Sequence, residues 1–167
     1  SNWSLDNPDG LVEWETTTDA SGFGNSTTSI ILNNFTDDHV GERDGLLTPY
    51  LNFAPAIGGT ITLDFNVAYA RYNNNNHDSL LVKASIDCGL SWQTIYAKGN
   101  NDLSTNGGIN EFGSFVPTDN NWRTESLNID GYAGESRVQF SFENYSGYGN
   151  NVYLDDINIY YIAPNVA

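Results

Sequence analysis

The sequence predicts an all-β protein, an antiparallel β-sandwich of jelly-roll topology. Residues 60–69 alternate apolar and polar side chains throughout, which is the pattern of a strand with one buried face. Nowhere do apolar residues recur at helical spacing over three turns. The 16 glycines, the 13% of aromatic residues and the many Asn, Thr and Ser residues are typical of short strands joined by polar loops. About eight strands at this spacing favour a sandwich.

The predicted strands are distributed along the chain after an opening of 26 residues that is mainly loop. Strands are placed where apolar or β-branched residues alternate with polar ones between turn-forming residues. In the strand at 80–86, the even-numbered residues, Ile86 among them, are expected to face the core. The segments predicted as strands are residues 27–32, 44–49, 60–69, 80–86, 92–97, 123–129, 137–143 and 149–161.

Two segments between strands have their own expectations. Residues 98–121 form an Asn- and Gly-rich connection without periodicity, and loops of that length are usually functional or mobile. The single cysteine, Cys88, excludes an internal disulfide. Its position at a strand end predicts a buried, unreactive thiol.

The last strand changes its apolar face in mid-run. Val152 and Leu154 share one parity, whereas the apolar residues at 157–161 share the other. Such a strand needs a β-bulge or a kink, and the change falls at Asp155 and Asp156. Two adjacent carboxylates are costly there unless a cation neutralises them, so we predict a calcium ligand, with Asp156 the better candidate. The alternative is an edge strand with both carboxylates in water.

The composition restricts the possible partners. The 6 basic and 21 acidic residues give a formal charge of −15, which argues against nucleic acids and anionic membranes. This charge suits a protein that binds cations or works in salty surroundings. No apolar run reaches membrane-spanning length, so no membrane insertion is expected. We expect residues 1–167 to form a single domain excised from a larger secreted multidomain protein.

An ordered set of short motifs resembles the MAM-like jelly-roll domains of secreted Bacteroidota proteins, a group related to the cleaved-adhesin domains. The resemblance covers residues 3–160 and rests on the order of the motifs, since none is specific alone. The motifs are the Trp-flanked opening at 3–14, Asp-Gly-Leu-Leu-Thr-Pro at 44–49, Tyr-Ala-Arg-Tyr at 69–72, and the segments 78–82, 85–92, 96–99, 115–117 and 149–157.

The resemblance implies a non-catalytic, calcium-stabilised β-sandwich that is secreted or held at the cell surface through a system that reads a C-terminal signal. Such domains accompany metalloproteases, polysaccharide-degrading enzymes or surface adhesins. One departure affects the metal site. The family usually begins with a further strand that carries a Glu ahead of the first Trp, and residues 1–167 do not include that strand.

Calcium binds six to eight oxygen atoms from carboxylates, amides and backbone carbonyls. Polar loops next to strand ends supply such atoms, and in a jelly roll the first loops and the last strand can meet at one end. Asp44 and Asp156 are the leading candidates, while Asp78 is either a second site or a strand cap. For each residue alone, a solvated turn is the alternative. The candidate ligands are Asp6, Asp9, Asn33, Asn34, Asp44 and Asp156.

No catalytic constellation is recognisable, and we expect no enzyme activity. The two histidines, His39 and His77, lie in separate loops without the spacing of a zinc site. No Gly-x-Ser-x-Gly nucleophile motif is present, and the acidic clusters of β-sandwich glycosidases are missing.

Aromatic residues in polar loops indicate a sugar-binding surface, because pyranose rings stack on exposed aromatic side chains and amides bind their hydroxyls. Burial in the core, or cover for a sandwich edge, is the alternative for several of them. The candidate ligand residues are Arg71, Tyr72, Trp122, Tyr145 and Tyr148.

Two hypotheses follow. The first is a carbohydrate-binding or adhesin-like module that holds a polysaccharide or glycan. The second is a protein-interaction or folding-support domain of a secreted metalloprotease, with a catalytic domain of the same chain as its partner and no glycan ligand. Both share the fold, the calcium and the location.

Overall fold

The computed structural model describes residues 2–164 and confirms the all-β class. In that part of the chain, ten strands form two antiparallel five-stranded sheets that pack face to face. The strands are β1 (Ser4–Asp6), β2 (Glu15–Thr17), β3 (Ser29–Leu32), β4 (Arg43–Leu47), β5 (Thr60–Tyr69), β6 (Ser79–Ser85), β7 (Gln93–Gly99), β8 (Arg123–Asn128), β9 (Gln139–Tyr145) and β10 (Val152–Ile162). Sheet A has the order β1-β4-β9-β6-β7, and sheet B has the order β2-β3-β10-β5-β8. A four-residue helix, α1 (Asn100–Leu103), follows β7.

The core lies between the two sheets and follows the alternation seen in the sequence. The odd-numbered residues of β5 from Ile61 to Tyr69 are 0% exposed. Phe65 packs edge-on against Tyr96 of β7 and Phe142 of β9, with ring centroids 5.4 and 5.2 Å apart. Aromatic pairs in this geometry add to the free energy of burial, so β5 anchors sheet B on sheet A.

The predicted irregularity of the last strand is confirmed as a β-bulge. Asp155 of β10 pairs with Asn66 of β5, and the next pair joins Asn158 to Asp64. Two residues of β10 therefore oppose one residue of β5, and Asp156 takes a left-handed backbone with φ 47°. The extra residue moves the apolar side chains that follow it back onto the core face.

Five connections leave the sandwich at one end, which we call the loop end. The register explains this, because the start of β10 pairs with the ends of both β3 and β5, while the start of β4 pairs with the end of β9. The connections are residues 7–14, 33–42, 70–78, 100–122 and 146–151.

The open side of the sandwich, between edge strands β7 and β8, is closed by ion pairs. Lys98 of β7 donates from Nζ to both carboxylate oxygens of Glu125 on β8, at 2.7 and 2.8 Å. Arg123 donates to the same carboxylate at 2.7 Å and to the carbonyl oxygens of residues 102–104. The Glu125 carboxylate therefore joins sheet A to sheet B.

Two expectations about the turn after β6 are wrong. Ile86, which was expected to face the core, is 52% exposed because β6 ends at Ser85. Cys88, which was expected to be buried, is exposed and has a φ of 64°. The cause is the Asp87 carboxylate, which accepts hydrogen bonds from the Ser85 hydroxyl and from the Ser91 backbone and hydroxyl. These bonds fix a tight turn that carries both neighbours out of the sheet.

The long connection 100–122 is anchored to the sandwich at a few buried residues, while most of its other residues are exposed or half-buried. It covers one half of the outer face of sheet B, where Phe115 packs on Tyr153 with ring centroids 6.1 Å apart. Leu103 of α1 is fully buried in the main core. Among residues 2–164 there is no helix with the length and apolar character needed to cross a membrane.

Candidate functional site

The loop end contains a depression of about 230 Å³ that we call the aromatic pocket. It brings together Tyr72 and Tyr148, two of the predicted ligand residues, from different connections. Phe35 and Asn76, which the sequence reasoning missed, complete its lining together with Gly149. Tyr148 is 44% exposed, so its ring is available to a ligand. Their position inside polar, Asn-rich loops was the signal that could have identified Phe35 and Asn76.

Tyr148 is held in place by the buried carboxylate of Asp78. Asp78 accepts hydrogen bonds from the backbone N–H groups of Gly147, Gly149 and Asn150, at 2.9, 3.1 and 2.7 Å. A Cβ at Gly147 would collide with the backbone of His77, and one at Gly149 with Asp78 itself. The two glycines thus let the chain wrap around the carboxylate and present Tyr148, whose φ is 52°.

The loops at this end are also tied to one another. Asn34 and Asn144 exchange two side-chain hydrogen bonds, at 3.1 and 3.0 Å, and Asn34 also donates to the Asn150 carbonyl. The Gly41 N–H donates to the Ser146 carbonyl, and the Ser146 N–H donates to the Glu42 carbonyl. The amide of Asn34, a predicted metal ligand, is thus engaged within the protein, and connection 33–42 is joined to the one that carries Tyr148.

A group of carboxylates, which we call the acidic cluster, lies beside this connection. Its centre is Asp44, which faces the sandwich interior at 3% exposure. Burial raises the pKa of the Asp44 carboxyl to about 7, with a further contribution from four neighbouring carboxylates. In order of decreasing effect these are Asp9, Glu42, Asp37 and Asp6.

Two oxygen atoms of the acidic cluster are orphaned. Asp44 Oδ1 and Glu42 Oε2 are buried, and neither has a hydrogen-bond partner within residues 2–164. Nearby, Asp37, Asp38 and His39 bring three potential ligand atoms within 4.8 Å of one another, with His39 Nδ1 2.6 Å from Asp37 Oδ1. Buried carboxylate oxygens without donors are what a hard cation such as calcium would satisfy, so this donor set fits the ion.

The structure brings together some predicted metal ligands and separates others. Asp9 and Asp44 belong to the acidic cluster, and the sequence reasoning missed Asp37 and Glu42. Asp6 pairs with Gly45, so its side chain lies on the opposite face of sheet A from Asp44.

The other predicted metal ligands lie elsewhere or remain unpaired. Asp156 lies on the outer face of sheet B, where Asn66 donates to it at 3.3 Å. The Oδ1 atom of Asn33 is buried without a hydrogen-bond partner among the described residues.

Three predicted ligand residues lie outside the aromatic pocket. Arg71 donates to the Asn100 side chain at 3.0 Å and to the Gly108 carbonyl at 2.9 Å, and thereby holds the long connection. Trp122 packs on Tyr153, with ring centroids 6.5 Å apart.

Tyr145 occupies a different surface. Its ring lies on the outer face of sheet A under the guanidinium of Arg43, 4.6 Å from the centroid. It lines a separate depression of about 310 Å³ together with Ser79 and Ala97.

Comparison with known proteins supports the fold. No family model and no curated protein matches the chain. Among solved structures, the K1 cleaved adhesin domain of Lys-gingipain from Porphyromonas gingivalis W83 is 16% identical, with 98% of this chain and 91% of that chain covered and a TM-score of 0.62. The K3 domain of the same protein is 21% identical, with coverages of 95% and 90% and a TM-score of 0.62.

Carbohydrate-binding modules have the same fold. TmCBM61, solved in complex with β-1,4-galactotriose, is 12% identical, with 96% of this chain and 88% of that chain covered and a TM-score of 0.55. At these identities the likeness concerns the architecture, a β-sandwich of cleaved-adhesin type.

Proposed function

We propose that this chain is a non-catalytic, carbohydrate-binding module of adhesin type that takes a glycan in the aromatic pocket. The observation that carries the proposal is the convergence of Tyr72 and Tyr148 from separate loops around the amide of Asn76. Exposed rings stack on the C–H faces of sugars, and an amide both donates to and accepts from hydroxyl groups. The fold, shared with adhesin domains and with a module solved with galactotriose, agrees with this role.

The size and charge of the aromatic pocket indicate its ligand class. Its volume of about 230 Å³ lies below the roughly 300–1,000 Å³ of sites for larger ligands, so it suits a single sugar ring. None of its five lining residues carries a charge, which favours a neutral sugar. The lining also offers no carboxylate for acid–base work, which supports a binding role.

We also propose that calcium binds in the acidic cluster, with Asp44 and Glu42 as ligands and with Asp9 and Asp37 beside them. The support is the pair of orphaned, buried oxygens on Asp44 and Glu42. Extracellular modules bind calcium with dissociation constants of about 10⁻⁴–10⁻³ M, a concentration found outside cells. We accordingly propose a secreted or surface location.

One observation favours the second candidate, a protein-interaction or folding-support domain of a secreted enzyme. Two apolar side chains on the turn after β6, Ile86 and Leu90, are 52% and 88% exposed. Exposed apolar side chains of this kind are frequent at protein contacts.

The experiment that separates the two candidates is a binding screen against soluble glycans and insoluble polysaccharides, run in calcium and again with a chelator. Saturable binding that calcium supports would establish the first candidate. No binding in either condition would leave the second, and a fall of Tm on chelation would still establish the calcium.

A further inference from the structure

A third depression, of about 220 Å³, lies on the outer face of sheet B where β10 bulges. We call it the bulge site. It does not share a lining residue with the aromatic pocket. Its lining includes Phe23, Asp64, Asn66, Asp156, Asn158 and Tyr160.

The bulge turns Asp156 toward this depression. Asp155 is fully engaged, because its carboxylate accepts from the N–H of Asp156 at 2.9 Å and from the N–H of Phe23 at 2.8 Å. The left-handed backbone of Asp156 is unusual for a residue other than glycine. Strained residues at bulges are concentrated at binding sites, because the bulge re-aims a side chain.

The polar groups of the bulge site form a network that is incomplete at one atom. Thr124 donates to Asn66 Oδ1 at 2.6 Å, and Asn66 Nδ2 donates to Asp156 Oδ2 at 3.3 Å. Asn66 is only 4% exposed, so this part of the network is rigid. Asp64 Oδ1, in contrast, is buried and has no donor in the part of the chain that the structure describes. Buried acceptors normally have a donor, so a donor from outside the chain is expected.

Open aromatic side chains flank these polar groups. The other half of the same sheet face is covered by Phe115 and the long connection, but Tyr160 is 53% exposed and Phe23 is 38% exposed. Tyr160 of β10 pairs with Thr62 of β5. Asn158 precedes Tyr160 on the same face of β10 and pairs with Asp64. The Tyr160 ring therefore borders the Asp64 carboxylate diagonally across the two strands.

We propose that the bulge site binds a neutral sugar ring, with adjacent hydroxyl groups donating to Asp64 and Asp156 and with Tyr160 against the ring face. Hydroxyl groups donate and accept, which matches a site that mixes carboxylates with the amides of Asn66 and Asn158. The two carboxylates repel uronic acids and sulfated sugars. A bare cation or a lysine side chain would use the carboxylates but would not need the Tyr160 ring. The bulge site is distinct from the aromatic pocket, and a failure of binding at one of them would not refute binding at the other.

The test is NMR titration of the ¹⁵N-labelled chain with neutral oligosaccharides of galactose, glucose, mannose and xylose. Calcium chloride and a lysine-rich peptide serve as competing probes. We expect one sugar to shift the amides of residues 64–66 and 156–160 saturably. Tyr160→Ala and Asp64→Asn should each weaken this binding at least tenfold. The matched control is Tyr161→Ala, since Tyr161 is 47% exposed on the same strand but belongs to the opposite face.

The outcomes are distinguishable. Sugar-induced chemical-shift changes at residues 156–160 that persist in the Tyr148→Ala variant support the bulge site, even if the aromatic pocket binds nothing. The proposal is overturned if sugars shift only the residues of the aromatic pocket, if no sugar shifts either region, or if only calcium or the peptide acts at the bulge. Equal losses from Tyr160→Ala and Tyr161→Ala, with unchanged Tm values, would also overturn it.

Discussion

The hydroxyl of Tyr69 and the carboxylate of Asp78 form a buried pair in which the Tyr69 O–H donates to Asp78 Oδ2 at 3.2 Å and the Asp78 N–H donates back to the same hydroxyl at 2.8 Å. The pair joins the end of β5 to the start of β6. The same carboxylate also binds the three backbone N–H groups around Tyr148. Two core strands and the loop that carries Tyr148 therefore depend on one side chain.

Replacing Asp78 should be costly. Asp78→Ala leaves three buried N–H groups without an acceptor, so we expect a loss of about 2–4 kcal/mol of unfolding free energy in urea titrations. Tyr69→Phe removes a single hydroxyl, which donates to the carboxylate and accepts from the Asp78 N–H, and should cost about 1–2 kcal/mol. Equal costs for the two variants would contradict the central role of the carboxylate.

The aromatic pocket should depend on Tyr148. Tyr148→Ala removes a stacking ring and should weaken glycan binding about tenfold or more, measured by calorimetry or affinity electrophoresis. Tyr50→Ala is the matched control, because Tyr50 is 46% exposed and follows β4 at the end opposite to the loop end. Equal losses from both variants would argue against binding in the pocket.

The calcium-free protein should lose stability as the pH rises. The pKa of Asp44 is raised to about 7 in the folded state, against about 3.9 in the unfolded chain. The folded state therefore binds the proton more tightly, and this stabilisation is complete below pH 4 and lost as the pH rises through 7. After allowance for screening by solvent, we expect about 1–2 kcal/mol between pH 5 and pH 8.

Added calcium, or replacement of Asp44 by a neutral residue, should abolish this loss of stability with rising pH. The ion favours the ionised carboxylate, so added calcium should raise Tm most at the higher pH. Asp44→Asn should remove most of the pH dependence and most of the calcium response. A calcium response that Asp44→Asn leaves intact would place the ion elsewhere. Burial also raises the pKa of Asp78, which leaves a residual slope in that variant.

The ion pairs on the open side should matter more than those on the sheet surface. Glu125→Ala leaves Lys98 and Arg123 without their shared carboxylate and should cost about 2–4 kcal/mol in chemical unfolding. Arg43→Ala breaks a pair with Glu143 in which the Arg43 side chain is 49% exposed, and it should cost under about 1 kcal/mol. Equal effects would mean that β7 and β8 are held by other contacts.

The fold was largely predictable because strand signals are local. The alternation in β5 and the parity change in β10 are properties of consecutive residues, and both predicted the backbone directly. Ile86 and Cys88 were misjudged because the hydrogen bonds of the Asp87 side chain, rather than hydropathy, end β6.

The candidate site was less predictable because it depends on how distant loops meet. Tyr145 and Tyr148 are three residues apart, yet Tyr145 points out from sheet A while Tyr148 lies on a loop folded around Asp78. Similarly, Asp37 and Glu42 become candidate metal ligands only because the fold places connection 33–42 beside Asp44. The spacing of these residues along the chain does not predict which of them lie together in the fold.

Connection 33–42 contributes Phe35 to the aromatic pocket and Asp37 and Glu42 to the acidic cluster. The two proposed sites therefore share a single stretch of backbone, through which binding at one could order the other. Thermodynamic linkage requires that an ion which tightens glycan binding is itself bound more tightly when the glycan is present. If the proposed calcium and glycan sites are coupled in this way, the module would bind its glycan less tightly in the calcium-poor interior of the cell that makes it. Binding would strengthen on export, with no enzyme or processing step needed to activate it.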